Sequence, residues 1–396
     1  MSDFNFIDYV IDYTKEAESP TEFWRWAAIS ALSSTMRSNV FVKCSIGTIY
    51  PNMFIILFSD SGIARKAAPC KFAGRLVQEI NSTKFINGRA SMQAVIKELS
   101  LASTSEKGNL ITGASGLLYT EELSSFAVQD PATIPILTDL YDYHETWSTN
   151  LVSGTFKLKQ VCVSLLGASN SDLFRTVYTE QAIKGGLLGR TFIIKQDNAR
   201  HRKSLLDLEE SKMDYLPLLE HLKKVKELKG QIRFAEAAKT KYNDWYYGLP
   251  TEYFQDKIGF SARLGTHVLK VAMSLCVARK ALDLVITAAD IEESIILCTD
   301  IKKNYKSVTI ASGGSTTASQ TALILKQLAT ANGGKLVRET LMQRMIGEVD
   351  IASFNGICQM LEESNLIKTV GLNGTVFITL TENGKKLVLG EELKEK

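Results

Sequence analysis

The chain has no paired cysteines. Its six cysteines (Cys44, Cys70, Cys162, Cys276, Cys298 and Cys358) are scattered, and no two form a Cys-x-x-Cys pair. Most lie in apolar surroundings, which reads as reduced core thiols of a cytoplasmic protein. Histidine is scarce too: four in 396 residues, none near another, which argues against a zinc site. No apolar run approaches the roughly 18–20 residues that cross a bilayer, so no membrane contact is expected. The start, Met-Ser-Asp-Phe-Asn-Phe, lacks the basic-then-apolar design of a secretion signal. Charge of one sign is missing as well. A net charge of +3 is close to neutral, so any nucleic-acid contact must come from local basic surface.

What is present is an ordinary soluble composition, 45% apolar and 22% charged, long enough for two to four structural units. The most informative stretch runs from Pro51 to Pro69. Met53 to Phe58 is unbroken apolar and rich in β-formers, as in a strand buried on both faces. Ser59 to Lys66 follows as a small, polar, glycine-bearing loop ending in two cations, and then a helix begins. Strand, tight loop, cation and helix is the layout that cradles phosphates. Ser61, Gly62, Ala64, Arg65, Lys66 and Ala67 are the candidate nucleotide-binding residues. Against the pattern G-x-x-x-x-G-K-[ST], Ser59 and Ala64 stand at the glycine positions, the cation is doubled as Arg65-Lys66, and Ala67 replaces the Mg²⁺-binding hydroxyl.

Further signals follow in chain order. Gly116 to Thr120 reads as a second buried strand ending in Glu121 and Glu122, one acid for metal and one to polarise water. Trp147 to Lys159 reads as a hairpin with Gly154 near its middle. Its Lys157 and Lys159 fit either a charged edge that blunts aggregation or a nucleic-acid contact. Val161 to Leu166 is a third buried strand tipped by Asn170, a candidate for orienting water. Arg190 ends Gly-Gly-Leu-Leu-Gly-Arg before the strand Thr191 to Ile194, a position that suits either a finger offered to a neighbouring subunit or a plain surface arginine. Residues 196–210 read as a polar, basic linker. Met213 to Tyr305 is helical throughout and carries Arg263.

Upstream, residues 1–40 read as helical, with Trp24 on a packing helix. Downstream, Ala311 to Thr317 is a small-residue linker. Beyond it, three helices precede a two-stranded hairpin turning at Gly371-Leu372-Asn373-Gly374. That is a winged helix, a form used for both DNA and protein contact.

Taken together, Trp24-Arg25-Trp26-Ala27-Ala28, Tyr50-Pro51-Asn52, the degenerate loop, the Glu-Glu strand end, Leu166-Gly167-Ala168 before Asn170, and Gly-Gly-x-x-Gly-Arg resemble the P-loop helicase domain of phages, plasmids and integrated elements, often joined to a primase. The segment from Arg263 to Ala289-Asp290-Ile291 is similar to the lid of mini-chromosome maintenance helicases. The resemblance covers roughly residues 20–310. It implies an α/β P-loop NTPase core (AAA+/RecA-like) with N-terminal helices over 1–48, core over 49–200, all-α lid over 201–310 and winged helix over 318–390. It also implies ATP and Mg²⁺ as cofactors, with Lys66 or Arg65 on the phosphates and Glu121 at the metal. Glu121, Glu122, Asn170, Arg190 and Arg263 would be catalytic, with Asn170 as sensor one, Arg190 as arginine finger and Arg263 as sensor-two arginine. Lys157 and Lys159 would touch DNA, preferably single-stranded, in the channel of a homo-oligomeric ring, a hexamer in the similar helicases. A primase or polymerase of the same element is the implied further partner. The expected activity is an ATP-dependent DNA helicase-like motor for replication. The competing expectation, raised by the degenerate loop, is a non-hydrolysing DNA-binding initiator or loader that keeps the ATPase fold as a scaffold.

Overall fold

The computed structural model describes residues 4–45, 47–60, 62–87, 91–104, 113–121, 133–151, 154–170, 186–204, 213–255, 259–279, 281–312, 316–372 and 374–389. The chain divides into two compact units, Met1–Lys302 and Lys303–Lys396. The first is a mixed α/β unit. It opens with helices α1 (Phe6–Tyr13) and α2 (Thr21–Met36), then the short antiparallel pair β1 (Val40–Cys44) and β2 (Gly47–Ile49). Its centre is a parallel sheet of β3 (Phe54–Phe58), β4 (Lys84–Asn87), β5 (Ser115–Thr120), β7 (Gly154–Ser169) and β8 (Thr191–Lys195), in the spatial order β4-β5-β7-β3-β8. An antiparallel strand β6 (His144–Leu151) pairs with the first half of β7. All five residues of β3 are buried, as the unbroken apolar run predicts for a strand with both neighbours and both faces covered.

The order of strands decides where a ligand could sit. From β3 the chain runs through α3 (Ala67–Ile80) to the far edge strand β4. It then returns through α4 (Met92–Thr104) to β5, through α5 (Thr133–Tyr141) and β6 to β7, and finally passes β3 to reach β8. Right-handed crossovers put the outbound and returning connections on opposite faces. The carboxyl ends of β3 and β7 therefore border the crevice where the order reverses, the usual binding position of open α/β sheets. Helix α2 packs against α3 and across β3, β5, β7 and β8, with thirteen of its sixteen residues buried. Trp24 meets Phe72 of α3 and Trp26 meets Phe192 of β8, so the tryptophan helix is a core element of this unit.

Two regions depart from the sequence expectation. The expected hairpin and the strand after it are one element: β7 runs sixteen residues, its first half an arm with β6 and its second half in the central sheet. Gln160, at φ 51°, supplies the bend between the halves. Residues 196–203 are a strap tied to the N-terminal segment. Arg200 N–H donates to the Glu18 carbonyl at 2.8 Å, the Lys203 N–H to the Glu18 carboxylate at 3.1 Å, and His201 bonds the Glu16 carbonyl at 3.1 Å. Helices α6 (Leu216–Glu227), α7 (Glu236–Tyr247), α8 (Leu264–Ala278) and α9 (Ala288–Ser312) follow, but the stretch is not purely helical. Gly230-Gln231 pairs with β1, and Arg233-Phe234 pairs with Val285-Ile286. Fourteen of the fifteen residues of α8 are buried, which requires an apolar surface all round and makes its Lys270 conspicuous.

The second unit, taken by itself, has α10 (Thr316–Ala329), β9 (Lys335–Val337), α11 (Arg338–Arg344), α12 (Ile351–Glu363), β10 (Ile367–Leu372), β11 (Thr375–Leu380) and α13 (Glu382–Leu389). The three expected helices and the hairpin are present. A third strand, β9, joins β11 to give the antiparallel order β9-β11-β10, and α13 was not anticipated. Ile324, Leu328, Leu341, Phe354, Ile357 and Ile378 form its separate core. Asp350 caps α12, its carboxylate accepting from the Ser353 hydroxyl at 2.6 Å and the Ser353 N–H at 2.9 Å, which lowers the Asp350 pKa.

Candidate functional site

Register brings three strand tips level at the carboxyl end of the sheet. Phe58 pairs with Ser169, so Ser59 stands beside Asn170, and the Ser59 N–H donates to the Ser169 carbonyl at 3.3 Å. Thr120 pairs with Gly167, so Glu121 is level with Ala168. The Asn170 strand thus lies between the loop strand and the acid strand, with neighbours about 4.8 Å apart. Glu121 also reaches the loop's own helix, where its carboxylate is 3.4 Å from the Lys71 ammonium. Burial first, then the charge of Glu121, push the Cys70 thiol pKa up while Lys66 pulls against them, so acid and lysine flank one side chain. Glu122 and Ser61 lie outside the described residues.

Backbone geometry separates the two cations of the loop. Arg65 holds a left-handed φ of 46°, the conformation that favours glycine, directly before the lysine. Its guanidinium turns outward to Glu18 at 2.8 Å, and its carbonyl accepts from Ser19 at 3.0 Å. Lys66 folds inward. Its ammonium donates to the Ser59 carbonyl at 2.7 Å and the Asp60 carbonyl at 3.1 Å, and partial burial lowers its pKa. The loop therefore places Lys66, and not Arg65, over its own backbone. In that register Arg65 occupies the position just before the cation, while Ala64, fully buried, packs into the core. Gly62 turns with φ 78°. Ala67 is the first residue of α3, whose N-terminus faces the loop, and it brings no hydroxyl. The Ser59 hydroxyl is fully buried without a hydrogen-bond partner. Beside the loop, Gly62, Ile63 and Arg65 share a cleft of about 550 Å³ with His201, Arg202 and Lys203 of the strap and with Glu18.

Arg190 and Arg263 sit together at the other end of the sheet. Thr191 pairs with Phe54, so Arg190 is level with Met53, six residues before Ser59. At about 3.3 Å per residue, it lies roughly 20 Å from its own chain's loop. Arg190 pairs with Asp142 at 2.8 Å and donates to the Gly186 carbonyl at 3.2 Å. Arg263 donates to the Gly259 carbonyl at 3.0 Å, and burial, then the neighbouring Arg190 charge, lower its pKa. Sequence reading missed the groups behind this pair. The Lys270 ammonium donates to the Asn52 carbonyl at 2.7 Å and its side-chain oxygen at 3.0 Å, and lies 4.6 Å from the Tyr141 ring centroid. Burial lowers its pKa to about 8. His267, buried and 2.9 Å from the Gly189 carbonyl, donates through Nε2 and fixes the turn that carries Arg190. A lysine in the otherwise apolar run Val268–Ala278 was the available signal.

The β6–β7 arm has two unlike faces. Lys157 lies opposite Ser148 and Lys159 opposite Thr146, while Thr155 donates to Asn150 at 2.8 Å. All six are exposed, polar and without an acid among them. Trp147 and Leu158 face the other way, with Leu158 fully buried. In the second unit, the surface of α12 is the opposite case. It exposes Ile351 and Met360, and no cation occurs from Ile346 to Ile367, where Glu348, Asp350, Glu362 and Glu363 stand.

A triphosphate suits the loop in part. The helix N-terminus, Lys66 and the unsatisfied Ser59 hydroxyl suit anionic oxygens. A divalent cation finds little: Ala67 offers no ligand, and no group of three His, Cys, Asp or Glu side chains gathers among the described residues. Glu121 is the acid at the neighbouring strand tip, and its carboxylate is paired with Lys71. No helix among the described residues is long and apolar enough to cross a membrane. Compared with known proteins, the chain matches no family model and no curated protein.

Proposed function

We propose that this chain is a nucleotide-driven motor acting on DNA, with a P-loop core of AAA+ type and a C-terminal winged helix, working as a homo-oligomeric ring in replication of a mobile element. The observation that carries the reading is the convergence of Lys66, Asn170 and Glu121 at the carboxyl ends of adjoining parallel strands. Lys66 would release the two loop carbonyls and turn to the phosphates of ATP. Glu121 would hold Mg²⁺ through water, and Asn170 would orient the attacking water. Bound ATP supplies the free energy of phosphoryl transfer for strand movement. Arg190 and Arg263 are too far from their own loop and would serve that of a neighbouring copy. The polar, cationic face of the arm suits a phosphate backbone, which hydroxyls, amides and lysines recognise without reading sequence. The cation-poor α12 supports a protein-contact role for the winged helix, since DNA affinity is largely phosphate neutralisation.

The test is ATP turnover with and without single-stranded DNA. We expect DNA to raise the rate, Glu121→Gln to abolish it with ATP still bound, and Arg190→Ala to abolish it with subunits still associated. Undiminished turnover in Arg190→Ala would remove the finger role. A second reading is favoured by Ala67 and by the commitment of Lys66 to its own loop: a DNA-binding loader that keeps the ATPase fold as a scaffold and does not hydrolyse nucleotide. No binding of labelled ATP at millimolar concentration would select it.

A further inference from the structure

Helix α7 carries an aromatic cluster that stays partly exposed among the described residues. Within six positions it presents Tyr242, Trp245, Tyr246 and Tyr247, while Ala238 is its buried residue among those described. The Tyr247 side chain is 83% exposed and that of Tyr246 38%. Tyr242 and Tyr246 stack at 5.8 Å between centroids, and Trp245 adjoins both at 5.7 and 6.3 Å. Grouped, amphipathic and rigid rings of this kind, left in water, mark the core of an interface.

Two observations choose the occupant. Nucleic acid is disfavoured because the helix's cations are already neutralised: Lys239 pairs with Glu236 at 2.6 Å and Lys241 with Glu292 at 3.2 Å. A strand stacking its bases there would meet no net positive charge for its phosphates on the helix itself. The cluster is also continuous with the arginine pair. A Cβ at Gly265 would stand 2.8 Å from the Tyr242 hydroxyl and 2.9 Å from Tyr246, so both side chains touch the start of α8, two residues past Arg263. Arg263 in turn lies beside Arg190, both guanidiniums coming within 4 Å of a Cβ built at Gly186.

We infer that the aromatic end of α7 is the docking surface for a second copy of this chain. It seats against that copy beside Arg190 and Arg263 and fixes the two arginines on the neighbour's nucleotide loop. The occupant rests on the motor reading above; the aromatic surface does not.

The experiment is sedimentation velocity of the full chain across concentration, with and without ATP and Mg²⁺, for wild type and Tyr247→Asp, beside Leu372→Asp on an exposed strand of the second unit as control. We expect wild type and the control to assemble. Tyr247→Asp should associate roughly tenfold or more weakly, as on losing an aromatic anchor. Its melting profile and ATP binding by the single copy should be unchanged, because that ring is mostly exposed. Three results overturn the inference: Tyr247→Asp assembling like wild type, wild type remaining a single copy under every condition, or the variant losing single-strand affinity with assembly intact, which would make the cluster a base-stacking platform. If wild type binds no ATP yet assembles through Tyr247, the interface stands and the motor reading falls.

Discussion

The two ends of the central sheet are built on different terms. At the carboxyl end, the polar groups are partly exposed: Lys66 bonds Ser59 and Asp60 of its own loop, Arg65 pairs with Glu18 and Glu121 with Lys71. At the amino end they are buried and tie distant elements together. Lys270 of α8 holds Asn52 before β3, Asn52 donates to the carbonyls of Tyr141 and Val163, and His267 holds the turn before β8. Exposed bonds can be exchanged for a ligand at small cost. Buried acceptors cannot lose their donor without a penalty of about 1–3 kcal/mol each. One end is bonded so that partners can be exchanged and the other so that they persist, and Arg190 sits on the second, held by Asp142 and the Gly186 carbonyl.

Exchanging the roles of two lysines is the strongest way to break this comparison. Lys66→Ala should weaken ATP binding by roughly a hundredfold, the worth of a charge-assisted phosphate contact, and leave the melting temperature nearly unchanged. Lys270→Ala should do the reverse. The cavity and the unmet Asn52 acceptors should cost about 3 kcal/mol of stability, read by denaturant unfolding, with loop affinity kept. Equal losses of stability in both variants would abolish the distinction. Next in size is the arm. Removing both Lys157 and Lys159 should lower the salt slope of single-strand binding by about 1.4, without touching ATP affinity.

How much of this was legible beforehand follows the range of each interaction. The apolar run Met53–Phe58 specifies a central strand, because only a strand covered on all sides tolerates it. The hairpin of the second unit was equally visible in its turn residues. Both signals are local. The choice between Arg65 and Lys66 was not, since it depends on a left-handed backbone at Arg65 and on Glu18, 47 positions away. The strap over residues 196–203 read as a linker because its partners, at 14–18, are far off in sequence. Lys270 and Asn52, 218 positions apart, had no local signature beyond a lysine in an apolar helix.

Acid and base sharpen the contrast more gently. Burial holds His267 neutral, lowering its pKa from 6.5 to about 3. The unfolded chain therefore takes up a proton before the native one, and stability present above pH 6.5 is lost as pH falls towards 3, by up to about 1.4 kcal/mol per unit. For Lys270, lowered from 10.5 to about 8, the unfolded chain also keeps its proton longer, so stability rises between pH 8 and 10.5. His267→Gln, which keeps a donor for Gly189, should flatten the acid limb, and Lys270→Met the alkaline one, in unfolding series across pH. Unaltered limbs would mean that water reaches these groups.

The smallest expected effect tests the finest distinction. If Arg65 is a surface residue whose backbone, and not its charge, serves the loop, then Arg65→Ala removes only its ion pair with Glu18. The Arg65 side chain is 55% exposed, and exposed pairs contribute about 0–1 kcal/mol. ATP affinity should stay within about threefold of wild type, far from the Lys66→Ala loss. Arg65→Gly should be stabilising or neutral, because glycine occupies a φ of 46° without strain while the arginine does not. A large loss of affinity in Arg65→Ala, with Arg65→Gly failing in the same way, would return the phosphate contact to the guanidinium and shift the register of the whole loop by one residue.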